Sequence, residues 1–546
     1  MPNRAGPGII PRGMSDAISA APSTKLPLHR PVLVVLVSLL LIFYAWDLGS
    51  NPVYLYVDEV VFALQAHAIA TTAHDTNGRL LPLYFQMRQI ADNSWFHPAI
   101  VYFMAPFVAV LPLSEAVIRF PSVVIGILNV CLMFSIARRI FGNDKYALLA
   151  AGLLALTPTH ILHSRMAMDY LYPVPFVMAW LLCLLIYLER RQLKWLFIAG
   201  LILGFGFYSY IASVVMMPLY LLLTMVVLFR AVTRPFKECL VAVAGFAAPV
   251  TIVILWLAAN PAVIPETMSR YAVSSGSVTR VAFSDFTRRL SIYWSFFDPG
   301  FLFVSGGYTH TMNSTRRVGV FLLPLLVFLP VGFVRLAAAP RQAIDPLLLF
   351  GFGLAPLAAC LMPEPYAIDR ELVVLPFAVL LATLGVRAMM TATRQHWRLA
   401  AAALLALIPI HFAFFCFDYW SDYPTRAAYR FQGNRRGVLE QVIAMTPPQT
   451  PGPIYLNDHR IPYIGAHWQL YLLKHGRTDL IGRTVFFDSG TLDESMVPPG
   501  SLLVTTLDDQ PLGNLVRAGR LTQVQTFPEP GNPPLFGLFR KDAPGY

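Results

Sequence analysis

The chain has 546 residues, of which 56% are hydrophobic and only 13% charged. Soluble domains carry about 25% charged residues, so a chain this long and this apolar reads as a multi-pass membrane protein. Its formal charge of +11 is spread over short loops between apolar runs, which is the positive-inside pattern and argues against nucleic acid as a partner.

In chain order, residues 1–30 are rich in Pro, Gly and Ser and hold Arg4, Arg12, Lys25 and Arg30. This composition predicts a disordered cytoplasmic tail. The apolar run from Pro31 to Trp46 lacks a small-x-small cleavage site and reads as an uncleaved first span. Apolar runs of roughly 17–25 residues mark spans. They fall near 31–49, 120–137, 145–161, 171–188, 195–210, 211–229, 238–258, 318–336, 346–362, 371–389 and 398–417. The fold class expected is an all-α polytopic membrane protein with about eleven transmembrane helices, within a range of about nine to thirteen.

With the N-terminus in the cytoplasm, the short inner loops carry Arg138, Arg139 and Lys145; Arg190, Arg191 and Lys194; Arg230, Arg234 and Lys237; Arg335 and Arg341; and Arg387, Arg394 and Arg398. The short outer loops carry only Arg165 and Arg370. This asymmetry sets the orientation. The apolar stretch "PAIVYFMAPFVAVLPL", residues 98–113, contains three prolines. As a span it would invert every later loop, so it is read as interfacial or re-entrant. Residues 50–119 and 259–317 then form external loops, the second with an interfacial helix in "FTRRLSIYWSFF". The domain reading is a tail at 1–30, a membrane domain at 31–417 and a small extracytoplasmic α/β domain at 418–546. In that last domain helices are predicted in "GVLEQVIAM" and "AHWQLYLLK", and strands in "PIYLN", "TVFFD", "SLLVTT" and "LFGLFRK". Cys131, Cys183, Cys239, Cys360 and Cys416 show no CxxC spacing and read as buried apolar residues.

Charges at the edge of a bilayer are costly and point to function. Asp58 and Glu59 open the first external loop in "YVDEVVFALQAHAIA". Adjacent residues point about 100° apart on a helix. One is therefore expected to face the reaction and the other to hold backbone or a cation. A plain acidic helix start explains the pair equally well. The next external loop, "TPTHILHSRMAMDY", holds His160, His163, Arg165, Asp169 and Tyr170. Arg165 and Asp169, four apart, would share one face of a helix. The two histidines have a metal-like spacing but no evident third ligand, so no metal site is assigned. Nor does the sequence show any required cofactor. "MPEPYAIDRELVV" adds Glu364, Asp369, Arg370 and Glu371, and "NSWFHPA" adds His97. Together these make an outer polar cavity beside lipid, with arginines for a phosphate, aromatics for a sugar and a carboxylate for a proton. His97, His163 and Tyr170 are the substrate-binding candidates, and Arg165 and Arg370 the phosphate-binding ones.

Asp58-Glu59, His97-Pro98-Ala99, Arg119-Phe120-Pro121-Ser122 and Ala137–Gly142 occur in an order and spacing that resemble the GT-C glycosyltransferases. The resemblance is to the protein O-mannosyltransferase-like superfamily, with lipid A aminoarabinose transferases and rhizobial galacturonosyltransferases. Ala99 departs from the family's second proline. The match is good over residues 50–230, weaker over 290–390 and absent in the C-terminal part. The resemblance implies a GT-C fold. It also implies sugar transfer from a polyprenyl-phosphate donor, at the outer face of a bacterial inner membrane, to a lipid, glycan or protein acceptor. The family's acidic positions map onto Asp58, with Glu59 beside it, and Asp169, and its basic position onto Arg165. The competing class is a transporter or flippase for a lipid-linked or anionic substrate. Against it, the ionisable residues gather at the outer ends of spans.

Overall fold

The computed structural model describes residues 30–542 apart from 92, 234, 271–282, 308–310, 339–343, 363 and 448–451. The expected tail lies almost wholly outside these residues. The described chain is mostly helical. Five helices are long and apolar enough to cross a membrane: Glu115–Phe141, Asp169–Arg190, Ser213–Ala231, Pro235–Ala259 and Gln395–Trp420. Asp144–Ala155 and Pro158–Ser164 make a sixth if taken as one broken span. Shorter apolar helices include Leu33–Ala45, Ala99–Val110, Leu193–Gly206, Leu325–Ala338 and Val374–Met390. The long spans are therefore fewer than the expected eleven, because several apolar runs fold into helices of 10–17 residues.

Local chemistry explains the differences. The run expected as one span at 145–161 bends by 62°. Pro158 follows Thr157, whose backbone is extended at φ −69° and ψ 120°, as the residue before a proline prefers. The span expected from 318 becomes helical only at Leu325. Gly319 instead packs against the backbone of Leu302 and Phe303, and Pro324 precedes the helix. The span expected at 346–362 is a regular helix only over Asp345–Leu354, then tightens into 3₁₀ turns. The long Glu115–Phe141 helix is punctuated as its sequence demands. Ser114 caps it by accepting from the Val117 N–H, Arg138 and Arg139 occupy its last turn, and Gly142 ends it in the left-handed conformation.

Two helix crossings depend on missing side chains. The helices Leu193–Gly206 and Pro235–Ala259 meet at Gly200, Gly204 and Gly245, and those at Leu325–Ala338 and Val374–Met390 meet at Gly332 and Gly385. A Cβ at Gly332 would overlap the Leu381 carbonyl, and one at Gly385 the Phe328 carbonyl. Small residues are what let membrane helices approach backbone to backbone. Overpacking costs roughly 1–3 kcal/mol, and more where backbone has to move. Gly385→Val is therefore expected to lower the melting temperature of the detergent-purified protein by several degrees or to abolish its monodisperse peak in gel filtration. An unchanged melting temperature would mean that this crossing is loose.

Outside the bundle, strands β1 (Phe85–Gln86) and β2 (Trp95–Phe96) pair antiparallel in the first loop. The predicted interfacial helix is present as Phe283–Ser295. The C-terminal residues contain a five-stranded sheet of β3 (Ile454–Asn457), β4 (Thr484–Phe487), β5 (Leu502–Thr506), β6 (Thr522–Thr526) and β7 (Phe536–Arg540). Its order is β4-β3-β5-β7-β6. β3 lies parallel to β4 and β5, and β7 antiparallel to β5 and β6. Helices Arg435–Met445 and Ile464–Lys474 share one apolar cluster with this sheet, around Val438, Leu439, Leu456 and Trp468. β6 and the helix Gln510–Arg517 were not expected; the burial pattern of β6, mostly exposed or half-buried, gives it little apolar signature.

This sheet unit is clamped to residues 54–115 of the first loop. Lys474 Nζ lies 2.9 Å from Glu115 Oε2 and 2.8 Å from Glu440 Oε1. The Tyr54 hydroxyl donates to Glu529 at 2.9 Å, and Ala466 and Leu470 join the core of the helical bundle. His467 bridges the two parts: Nδ1 is 3.3 Å from Arg435 Nη1 and Nε2 is 3.4 Å from the Leu55 carbonyl. Nδ1 also lies 3.2 Å from the Tyr463 carbonyl, and since a guanidinium can only donate, Nδ1 accepts from Arg435 in the tautomer whose Nε2–H points to Leu55. Burial, then the charge of Arg435, push this imidazole down to about 3. Free histidine titrates near 6.5. The unfolded chain thus takes up this proton below about pH 6.5 while the folded chain resists until about pH 3, so stability falls as pH drops through that window. Thermal unfolding followed from neutral pH downwards is expected to show a steeper loss in wild type than in His467→Gln. Parallel curves would remove His467 from the acid response.

Candidate active site

The two adjacent carboxylates begin the helix Val57–Thr72, and the helix turns them apart. Glu59 points inward and is fully buried. It accepts from Arg119 Nε at 2.9 Å and Nη2 at 3.2 Å, from the Ala167 N–H at 2.9 Å and from the Tyr56 N–H at 3.0 Å. Arg119, also fully buried, spends its remaining donors on the carbonyls of Leu48, Pro52 and Tyr54. This one ion pair ties the start of the Asp58 helix, the preceding loop, the Glu115–Phe141 helix and the segment after His163 into one frame. Both oxygens of Glu59 are therefore filled by protein donors.

Asp58, one residue away, lines a cavity of about 360 Å³. Asp169, Tyr170, Asp369, Arg370, His97, Trp95 and Tyr210 share it, and Ile211, Val214, Val215, Met268 and Leu361 form its apolar side. Asp169 sits on a 3₁₀ turn, Asp169–Leu171, and Asp369 on another, Ile368–Arg370. The two turns pack together, and Asp58 and Asp369 are the electrostatic neighbours of Asp169. Three carboxyl groups from distant parts of the chain thus converge. Arg370 is the cation in the lining; its Nη2 is 3.2 Å from Glu364 and its Nε 3.8 Å from Asp369. Tyr170 stands edge-on to Tyr210 at 5.6 Å between ring centres. His97 is buried against Tyr84, and its Nε2 has no hydrogen-bond partner. Burial pushes that imidazole down to about 3, so it is neutral at physiological pH. A neutral ring nitrogen facing a cavity suits a sugar hydroxyl.

Four of the sequence candidates meet in the lining besides Asp58: Asp169, Arg370, Tyr170 and His97. Two do not. The helix that was to carry Arg165 and Asp169 on one face ends at Ser164, so no i,i+4 pair forms. Arg165 is fully buried and donates to the Tyr44 carbonyl at 2.6 Å, the Asn51 carbonyl at 2.8 Å and the Tyr419 hydroxyl at 3.1 Å. It also lies over the rings of Tyr419 and Trp420. Each of its three guanidinium nitrogens thus meets a protein acceptor, and Arg165 is not in the cavity lining. His163 is buried on the Thr159 carbonyl, away from the lining. Among the described residues no group of three His, Cys, Asp or Glu is placed to hold a metal ion. Sequence reasoning gave no role to Trp95, Tyr210 or Arg119, although Arg119 opens one of the motifs that carry the resemblance.

The comparisons agree with this picture. Residues 96–259 match the family model described as Dolichyl-phosphate-mannose-protein mannosyltransferase. No curated protein matches the sequence. The structure superimposes on ArnT from Cupriavidus metallidurans in the apo state with TM-score 0.54 at 16% identity, covering 93% of this chain and 97% of that one. The same protein bound to undecaprenyl phosphate gives TM-score 0.56 at 15% identity, over 93% and 98% of the two chains. An oligosaccharyltransferase from Archaeoglobus fulgidus aligns at TM-score 0.49 and 15% identity, over 81% of this chain and 61% of that one. Residues 96–259 thus match a glycosyltransferase family model, and the chain shares the fold of ArnT over nearly its whole length.

Proposed function

We propose that the chain transfers a sugar from a polyprenyl-phosphate donor to an acceptor hydroxyl, with inversion at C1. The observation that carries this reading is one cavity with three carboxyl groups and an arginine at its polar end and an apolar wall among the spanning helices. Its volume, near the low end of the roughly 300–1,000 Å³ typical of ligand sites, suits a sugar phosphate head, leaving the isoprenoid tail to lie in lipid. The undecaprenyl phosphate bound by ArnT supports a donor of this kind.

In this reading the Asp58 carboxylate takes the proton of the acceptor hydroxyl. The acceptor oxygen then forms a bond to C1 as the C1–O bond to phosphate breaks. The leaving polyprenyl phosphate has a second pKa near 6 and departs without a proton. No general acid is needed, unlike a glycosidase with its paired carboxylates. Arg370 neutralises the phosphate charge as it develops. Asp169 and Asp369 hold sugar hydroxyls, while His97 and Tyr170 orient the ring.

The reaction is assigned to the outer face of a bacterial inner membrane, with an inner N-terminus, about eleven apolar helices embedded in the membrane, and residues 418–546 as an extracytoplasmic α/β unit. The basic inner loops support this orientation. The test is release of polyprenyl phosphate from a panel of polyprenyl-phosphate sugars, with purified protein and a membrane extract as acceptor source. One active donor is expected, and it names the sugar. Tight binding of a donor with no release, accompanied by its movement across proteoliposomes, would replace the transferase by a flippase.

A further inference from the structure

A buried cation near the active site is left without a carboxylate. Arg435 opens the helix Arg435–Met445 and is only 5% exposed. Its Nε has no hydrogen-bond partner, and its Nη1 meets the neutral His467 ring at 3.3 Å. Its electrostatic neighbours are two phenols, Tyr56 and Tyr463, with no acid among them. Arg165 is also buried without a carboxylate, but each of its three guanidinium nitrogens meets a protein acceptor, whereas Arg435 leaves its Nε without one. A buried guanidinium without a counter-charge is costly, and that cost makes sense where an anion completes the site.

The surroundings fit an anion. Tyr56 precedes the helix Val57–Thr72 and Tyr463 precedes the helix Ile464–Lys474, so three helix N-termini lie together. Tyr56 has Asp58, Tyr463, Arg430 and Arg435 as electrostatic neighbours, so the cluster adjoins the proposed catalytic base. Arg430 and Tyr463 are exposed and Tyr56 half-buried, which leaves a way in from solvent. The cluster is built from the C-terminal unit and the first loop.

We infer that Arg435, with Arg430, Tyr56 and Tyr463, forms a subsite for an oxyanion, a phosphate or carboxylate, carried by the acceptor. Its hydroxyl then reaches Asp58 while its anion is held by a guanidinium fork. The word acceptor rests on the transferase reading; the anion site itself does not.

The experiment is thermal unfolding of the full chain in detergent. Wild type, Arg435→Met, Arg430→Gln and Arg370→Met are each titrated with sodium phosphate, with sodium acetate and with undecaprenyl phosphate, against sodium chloride at equal ionic strength. Wild type should show a saturable rise in melting temperature with phosphate or acetate. Arg435→Met should lose that rise and Arg430→Gln should shift its midpoint several-fold, while Arg370→Met retains it. Undecaprenyl phosphate should give the opposite pattern, surviving Arg435→Met and failing in Arg370→Met. Loss of the lipid response in Arg435→Met would assign the cluster to the donor and overturn the acceptor subsite. No response to either small anion in wild type, with Arg435→Met equally or more stable, would make Arg435 a structural residue and overturn the site itself. If Arg435→Met does not fold, the exposed Arg430→Gln decides alone. None of these readouts needs turnover, so failure of the transferase reading is seen separately.

Discussion

Asp58→Asn is expected to cut sugar transfer by about 10²–10⁴-fold, the usual worth of a positioned general base, with the melting temperature unchanged. Asparagine keeps the shape of the side chain and its place in the first turn of the Val57–Thr72 helix, but cannot take a proton. Asp58 is half-buried at the cavity wall, so the exchange strands no charge in the core. Donor binding, read by the thermal response to undecaprenyl phosphate, should survive, because Arg370 rather than Asp58 faces the phosphate in this reading. The loss should therefore fall on turnover. Full activity in Asp58→Asn would move the base to Asp169 or Asp369, the two carboxyl groups that share the cavity. A parallel loss of donor binding would mean that Asp58 orients the sugar instead.

The neighbouring exchange should behave in the reverse way. Glu59→Gln removes the charge opposite Arg119, and both side chains are completely buried. Breaking a buried ion pair from one side costs about 3–5 kcal/mol, because the remaining charge is stranded. Glutamine still offers one carbonyl oxygen, but it cannot satisfy the Arg119 fork, the Ala167 N–H and the Tyr56 N–H at once. The expected result is a large fall in melting temperature and poor recovery of folded protein. Arg119→Met should do the same, since it also releases the carbonyls of Leu48, Pro52 and Tyr54. The double variant Glu59→Gln, Arg119→Met should be more stable than the sum of its parts predicts, as coupled neighbours are. A Glu59→Gln protein that melts like wild type and yet transfers no sugar would make Glu59 catalytic after all. Two consecutive carboxylates would then differ only in chemistry and not in structural role.

The sequence by itself determined the membrane class, most of the apolar helices and the residues that would be costly at a membrane edge. These follow from one-dimensional signals: apolar run length, loop charge, helix caps and isolated ionisable residues. It also placed the helix at 283–295 and the strands at 454–457 and 502–506, where alternation and β-branched content are strong. Helix breaks were less legible. The turn at Thr157-Pro158 and the irregular start before Leu325 depend on proline and on close backbone packing around Gly319, neither of which interrupts hydropathy.

Only the tertiary structure decided which charges meet. In the sequence Arg165 looks like the better phosphate ligand, four residues from Asp169. In the fold the helix stops before Arg165, which turns inward to carbonyls and a tyrosine. Asp369 is more than 300 positions from Asp58 in the chain, yet both line the same cavity. Asp58 and Glu59 are indistinguishable by composition. They are separated by the 100° turn of a helix and by the presence of Arg119 on one side of it. Periodicity tells which residues share a face, but a carboxylate's role is set by what lies opposite that face, and that is a property of packing.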